Sequence, residues 1–303
     1  MGNFKFAAAE YSFPVWGSLA FEMAKHAGFD GIEITDGGGY LQPHPDNNGF
    51  VEYERLGLDL QRQDSFPLND PYVQDYYMNA SAKSGVEIMG IFLYMLENQG
   101  FIKNTPDSAQ GRHCLETIEN AIKAASDMNI NQVTIPVNGL FGVFQHEYAF
   151  QKVEYAVREA EDRGVDILIL SDGTCAWQKE MTDRSGGRAK LSFRTLDPVI
   201  CASGTPADMI ETLGKEYISQ IRAKDLKADK YGFVTAQTGQ NALLGSGDSG
   251  FEEIAASVLK SGIKGWIVSE TPYYSSDFTE IGEDYMLAAA KDVNTLNSLF
   301  NGK

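Results

Sequence analysis

The chain has 303 residues and a mass of 33.3 kDa, a length that suits one large α/β barrel or two small domains. A hydrophobic fraction of 43% and a charged fraction of 22% belong to a globular chain with a real core, and exclude disorder, collagen-like repeats and coiled coil as its main content. The net charge of −17, with no run of Lys and Arg to offset it, argues against a nucleic-acid partner and against docking on an anionic membrane.

Short apolar runs rich in β-formers alternate along the chain with longer stretches of helical spacing. The expected strands are Phe4–Ala9, Gly31–Ile34, Val86–Tyr94, Gln132–Pro136, Val165–Leu170, Lys190–Leu196, Ile218–Ala223 and Gly265–Ser269. Between them lie expected helices at Gly17–His26, Pro71–Ser84, Gly111–Met128, Glu147–Arg163, Pro206–Tyr217, Gly250–Ser261 and Ile281–Phe300. Several of the helices stop at a glycine just before a strand: Gly28, Gly85, Gly164 and Gly262. The phrase helix, glycine, strand recurs in Gly28-Phe29-Asp30-Gly31-Ile32-Glu33 and in Gly262-Ile263-Lys264-Gly265-Trp266-Ile267. Near-continuous apolar strands separated by helices call for a parallel sheet covered by helices. Eight such units in one chain predict a closed (β/α)8 TIM barrel, a single domain over residues 1–303, with a doubly wound open sheet as the alternative. A long polar insertion, Leu41–Asn69, follows the second strand, and the fifth helix is short, confined to Ala176–Asp183.

The three cysteines, Cys114, Cys175 and Cys201, have neither zinc-site nor redox-motif spacing and read as reduced thiols in a cytoplasm. No apolar run reaches the roughly 18 residues of a membrane helix. The opening residues lack the pattern of a secretory signal, and Phe6 stands where myristoylation needs Ser or Thr. Cytoplasmic localisation is the expectation.

Gly245-Ser246-Gly247-Asp248-Ser249-Gly250 satisfies GxGxxG but follows a loop rather than a strand. It is read as a turn opening a helix, whose free N–H groups could hold an oxygen or a phosphate, and no nucleotide cofactor is expected. The four histidines, His26, His44, His113 and His146, all lie away from strand ends. Carboxylates occupy those ends instead: Glu33, Asp172, Asp197 and Glu270, with Arg222 and Lys224 closing the seventh strand. In a parallel barrel these positions converge on one face. Acids and bases brought together there must pair, share protons or hold a cation. A rim of ion pairs is the plain alternative to a catalytic site.

On Gly28-Phe29-Asp30-Gly31-Ile32-Glu33-Ile34, on Ile210–Asp225 with its Lys224-Asp225 pair, and on Gly245–Glu270, the chain resembles the xylose isomerase-like TIM barrels of the sugar phosphate isomerase/epimerase superfamily. The resemblance implies a barrel acting on carbohydrates or polyols. It also implies one divalent metal, Mn or Mg, held by Glu, Asp, His and Glu at the ends of strands five to eight. Glu270 and Asp197 match the last glutamate and the strand-six aspartate, so they are the candidate catalytic residues and metal ligands. The strand-five glutamate has no counterpart, Ser171 or Asp172 standing there, and Arg222 replaces the strand-seven histidine. A guanidinium cannot ligate a cation and repels one, so metal binding is expected to be weak or absent. Arg222 can instead stabilise an enediolate.

The expected function is isomerisation or epimerisation of a sugar or polyol, or a related lyase reaction, by proton transfer next to a carbonyl. Glu270 and Asp197 are the acid/base pair, and Arg222, Lys224, Asp172, Glu33 and Trp16 bind substrate. The alternative is a non-catalytic sugar-binding or accessory subunit on the same barrel; an unrelated barrel enzyme comes third. Endonuclease chemistry, known in this superfamily, looks to metal-binding histidines that this chain does not place at strand ends. Tyr11, Phe13 and Trp16 after the first strand, and Tyr273-Tyr274 after the eighth, are of the kind that packs against sugar rings. The expected partners are a small-molecule sugar and a second copy of the chain or a partner subunit.

Overall fold

The computed structural model describes residues 4–35, 66–96, 101–139, 146–234, 240–279 and 285–302. Eight parallel strands close into a barrel: β1 (Lys5–Ala9), β2 (Gly31–Thr35), β3 (Glu87–Phe92), β4 (Gln132–Pro136), β5 (Asp166–Leu170), β6 (Lys190–Arg194), β7 (Ile218–Ala223) and, last in the chain, β10 (Trp266–Ser269). β1 pairs with β2 on one side and β10 on the other, which shuts the ring. The helices packed outside it are α1 (Ser18–Ala27), α2 (Pro71–Ser84), α3 (Ala109–Asp127), α4 (His146–Glu161), α5 (Cys175–Arg184), α6 (Pro206–Tyr217), α7 (Phe251–Lys260) and α8 (Tyr285–Leu296). The barrel expected from sequence is therefore the one found. The short fifth helix is also present, one residue longer at each end than the sequence suggested.

Local chemistry explains the boundaries. Asp70 caps α2 by accepting from the Tyr72 N–H at 2.9 Å, and Pro71 follows at the first helical position, where no N–H is needed. Gly85 ends the same helix with φ of 76°, a left-handed conformation that a side chain would strain. Ser108 caps α3 through the Gly111 N–H. Most of the Leu41–Asn69 insertion, including His44, lies outside the described residues. Its tail, Pro67–Asn69, is a 3-10 turn that buries Leu68.

Two layers of apolar packing follow from the pleat. Outward residues such as Ile32, Ile91, Ile135, Ile169, Ile221 and Ile267 join the helices in one large core. Inside the barrel a smaller cluster holds Ala7, Ala9, Met89 and Val268, with Trp266 and Tyr11 against it. The alanines of β1 leave space above this plug, and polar side chains take it.

One feature went unread in the sequence. Asp225–Lys227 (β8) and Gln240–Ala242 (β9) form an antiparallel pair beyond the end of β7, where a plain loop was expected. Among the described residues no helix is long and apolar enough to cross a membrane.

Candidate active site

Register sets the site. Arg194 on β6 faces Arg222 on β7, which faces Val268 on β10; one pleat below, Ser192 faces Gln220, which faces Trp266. The polar members of these rows point into the barrel. At the lower level Glu33 of β2 accepts from the Thr134 hydroxyl at 3.2 Å and from the Gln220 amide at 3.5 Å, and the Ser192 hydroxyl donates to Gln220. Above them Arg222, fully buried, places Nη1 2.6 Å from Glu33 Oε2 and Nε 2.5 Å from Glu270 Oε1. Its guanidinium lies 4.3 Å from the centre of the Phe92 ring.

Glu270 is the hub. Its Oε1 also accepts from the Tyr11 hydroxyl at 2.5 Å and Arg194 Nη2 at 3.2 Å, and its Oε2 from Arg194 Nε at 2.6 Å. The remaining arm of Arg194, Nη1, reaches Asp197 at 3.4 Å. The result is one chain of charges, Glu33–Arg222–Glu270–Arg194–Asp197, running from the barrel interior to its mouth. Tyr11, Phe92 and Tyr94 wall it with ring centres 5.8–6.3 Å apart.

The chain of charges sets the ionisation of each member. Burial alone would raise the Glu270 carboxyl, but the Arg194 and Arg222 guanidiniums and the Tyr11 hydroxyl outweigh it and hold the pKa well below the usual carboxylate range. Asp197 goes the other way. Burial raises it, Glu270 and Asp172 add to the rise, and Arg194 opposes it only in part. Burial lowers the Lys224 amine, as does Arg194, against the pull of Glu270 and Asp197. Tyr11 is raised by burial and by Glu270.

The structure thus brings Glu33, Asp197, Arg222 and Glu270 into one network, with Lys224 in its field. Asp172 stands apart on the rim, where Oδ2 accepts from the Gly139 N–H at 2.7 Å and lies 3.9 Å from the Cys201 sulfur; among the described residues it makes no ion pair. Trp16 is buried in the loop leading into α1, while the aromatic wall over Arg222 is supplied by Phe92. Phe13 and Tyr273 pack on each other in the outer core, 5.5 Å apart. Arg194 was missed from sequence. Its charge within the expected strand Lys190–Leu196 was the available signal, but nothing local named its partners.

One sequence reading changes. The N–H groups of the glycine-rich turn are already spoken for: Gly245, Gly247 and Ser249 donate to the Asp225 carboxylate, so the anion they hold is the protein's own. The donor set at the mouth does not fit a divalent cation. Glu33 and Glu270 are each bound to a guanidinium, and among the described residues no three His, Cys, Asp or Glu side chains group as a metal site.

No protein-family model and no curated protein matches the sequence. Solved structures do match, over nearly the full length of both chains. An IolI protein with a bound zinc atom superposes with a TM-score of 0.71 at 13% identity, covering 99% of each chain. D-allulose 3-epimerase from Methylomonas sp. gives 0.67 at 14% identity, also over 99% of each. 3-Keto-D-glucoside 4-epimerase from E. coli gives 0.66 at 13%, over 98% of this chain and all of that one. The structural neighbours are xylose isomerase-like TIM barrels, and at these identities the likeness is one of fold.

Proposed function

We propose that the barrel mouth moves a proton next to the carbonyl of a sugar or polyol, as an isomerase, an epimerase or a related lyase. The observation that carries this reading is Arg222: a wholly buried guanidinium whose Nη2 has no acceptor among the described residues. A buried donor left open costs free energy unless an acceptor arrives. The oxygen of a carbonyl that becomes an enediolate is such an acceptor, and a permanently charged, preorganised guanidinium stabilises it most as its charge develops. Two of the similar folds are sugar epimerases by name, which supports the substrate class.

Within this reading Asp197 is the proton carrier, because its raised pKa suits both removal and return of a proton. Glu270, strongly ionised and bound on both oxygens, serves as the anion that positions the two arginines. Glu33 anchors Arg222 from below. No step is routed through a metal, since the donor set does not fit one.

The test is deuterium wash-in at the carbon beside the carbonyl, followed by NMR, with D-fructose, D-allulose and D-tagatose. Wild type exchanges, and Asp197→Asn loses about 10²–10⁴-fold of that rate while keeping its fold. A specific observation favours the second reading, a non-catalytic sugar-binding subunit: both oxygens of Glu270 are already engaged within the protein. Melting shifts with these ketoses and no exchange in wild type would decide for it.

A further inference from the structure

We propose that Lys224 is the nucleophile of this site and forms an imine with the carbonyl carbon of the substrate. The inference rests on the proton-transfer reading above and names a covalent step within it: the iminium takes the place of the enediolate, and Arg222 polarises the carbonyl oxygen until it leaves as water.

Position comes first. Gln220 and Arg222 point into the barrel, so the pleat puts Lys224, two residues on, above Arg222 on the same side. Its backbone is pinned: the Lys224 N–H donates to the Thr195 hydroxyl oxygen at 3.2 Å, and that hydroxyl donates back to the Lys224 carbonyl at 3.1 Å. The charges that act on the amine are those of the site, Glu270, Arg194 and Asp197. Yet among the described residues no carboxylate comes within 4.0 Å of it, in contrast to Lys5, Lys123 and Lys260, each of which is ion-paired. A half-buried lysine without a counterion, beside a guanidinium, is driven toward its neutral, nucleophilic form. The depressed pKa of Lys224 agrees with this.

The chemistry balances without an oxidant or a reductant. The Nζ lone pair adds to the carbonyl carbon, the π pair moves to oxygen, and a proton passes from nitrogen to that oxygen. A second proton, from Asp197, lets the oxygen leave as water while the nitrogen pair closes the C=N⁺ bond. The iminium draws the neighbouring C–H pair toward itself, so Asp197 removes that proton and an enamine forms. Return of a proton to either face of that carbon, then addition of water to the iminium, releases the epimer and restores the amine.

The experiment uses the full chain with dihydroxyacetone and D-fructose, trapped with borohydride and read by intact mass and peptide mapping, with deuterium wash-in measured in parallel. The expected result is a gain of one ketose less one oxygen atom, located on Lys224. The adduct should be absent from Lys224→Arg and Lys224→Met, with wash-in reduced by about 10²-fold or more in both. Two variants of different polarity, each checked by melting temperature, separate this loss from misfolding. Wash-in in wild type with no adduct, or an adduct on another lysine alone, overturns the imine and leaves the proton-transfer reading standing. An adduct on Lys224 without wash-in keeps the nucleophile and overturns that reading. Neither signal with either ketose overturns both.

Discussion

Glu270 accepts from Tyr11, Arg194 and Arg222 at once, so its single charge is shared by two guanidiniums, that of Arg222 wholly buried. Removing it breaks two short ion pairs and leaves Arg222 only Glu33 and Arg194 only Asp197, which costs about 3–5 kcal/mol. Glu270→Gln is therefore expected to lower the melting temperature by more than 5 °C as well as to abolish turnover, because Arg222 is then held by Glu33 alone. An unchanged melting curve would show that the pairs contribute nothing net. The same arrangement governs metal binding: an ion would have to displace Arg194 and Arg222 from Glu33 and Glu270. Added Mn²⁺ or Mg²⁺ is expected to leave the melting temperature where it was. A stoichiometric ion retained through dialysis and detected by mass spectrometry would contradict this. Arg194 shows why the site was only partly legible in sequence. Glu33, Asp197, Arg222 and Glu270 announce themselves as charges at strand ends. Arg194 acquires its partners only when β6 and β7 align it with Arg222, a consequence of barrel closure that no local pattern contains.

The recurring unit of helix, glycine and strand was readable because each of its parts is local: apolar spacing, a cap, and a left-handed glycine. β8 and β9 were not, since three-residue strands have no period to detect and are defined by each other across the intervening loop. Their junction is organised by Asp225. Its Oδ2 accepts the Gly245 and Gly247 N–H groups at 3.0 Å each, and its Oδ1 accepts from the Ser249 hydroxyl at 2.6 Å and the Leu226 N–H at 3.0 Å. A sequence resembling a phosphate loop thus clamps the end of β7 to the start of α7. Asp225→Ala leaves several buried donors open and should cost roughly 3 kcal/mol. Gly247→Ala tests the same joint from the other side, because a Cβ there would stand 2.2 Å from Asp225 Oδ1 and 2.6 Å from the Leu226 carbonyl oxygen. Chemical denaturation should show both variants less stable. If Gly247→Ala matches wild type, the close approach is not a constraint.

At the scale of the molecule, two buried carboxylates tie the ends of the chain to the barrel and respond to pH in opposite directions. Glu270, held below the usual range, contributes stability that is present above about pH 4.5 and lost as the pH falls below it. Asp292, in α8, accepts from the Thr271 hydroxyl at 2.6 Å, the Leu244 N–H at 2.8 Å and the Tyr273 hydroxyl at 3.1 Å, which fastens the C-terminal helix to the end of β10. Burial raises its pKa to about 6 in spite of these bonds. The folded protein therefore binds this proton more tightly than the unfolded chain. The gain is complete below about pH 4 and disappears as the pH rises through 6, a difference of about 2–3 kcal/mol. Stability measured by urea denaturation should accordingly increase from pH 7 to pH 5 and fall again below about pH 4.5, where Glu270 of the unfolded chain takes up a proton that the folded protein does not. Asp197, also raised, slopes the same way, and acidification relieves the repulsion of a chain with a net charge of −17. Asp292→Asn isolates the Asp292 share: the amide oxygen can keep the Leu244 bond, the amide NH2 at the other position can donate to the Thr271 hydroxyl oxygen, and the side chain carries no charge to bury. The variant should show a shallower rise between pH 7 and pH 5, with the largest difference from wild type at pH 7. Parallel curves for the two proteins would mean that Asp292 keeps an ordinary pKa and that the acid stabilisation comes from elsewhere.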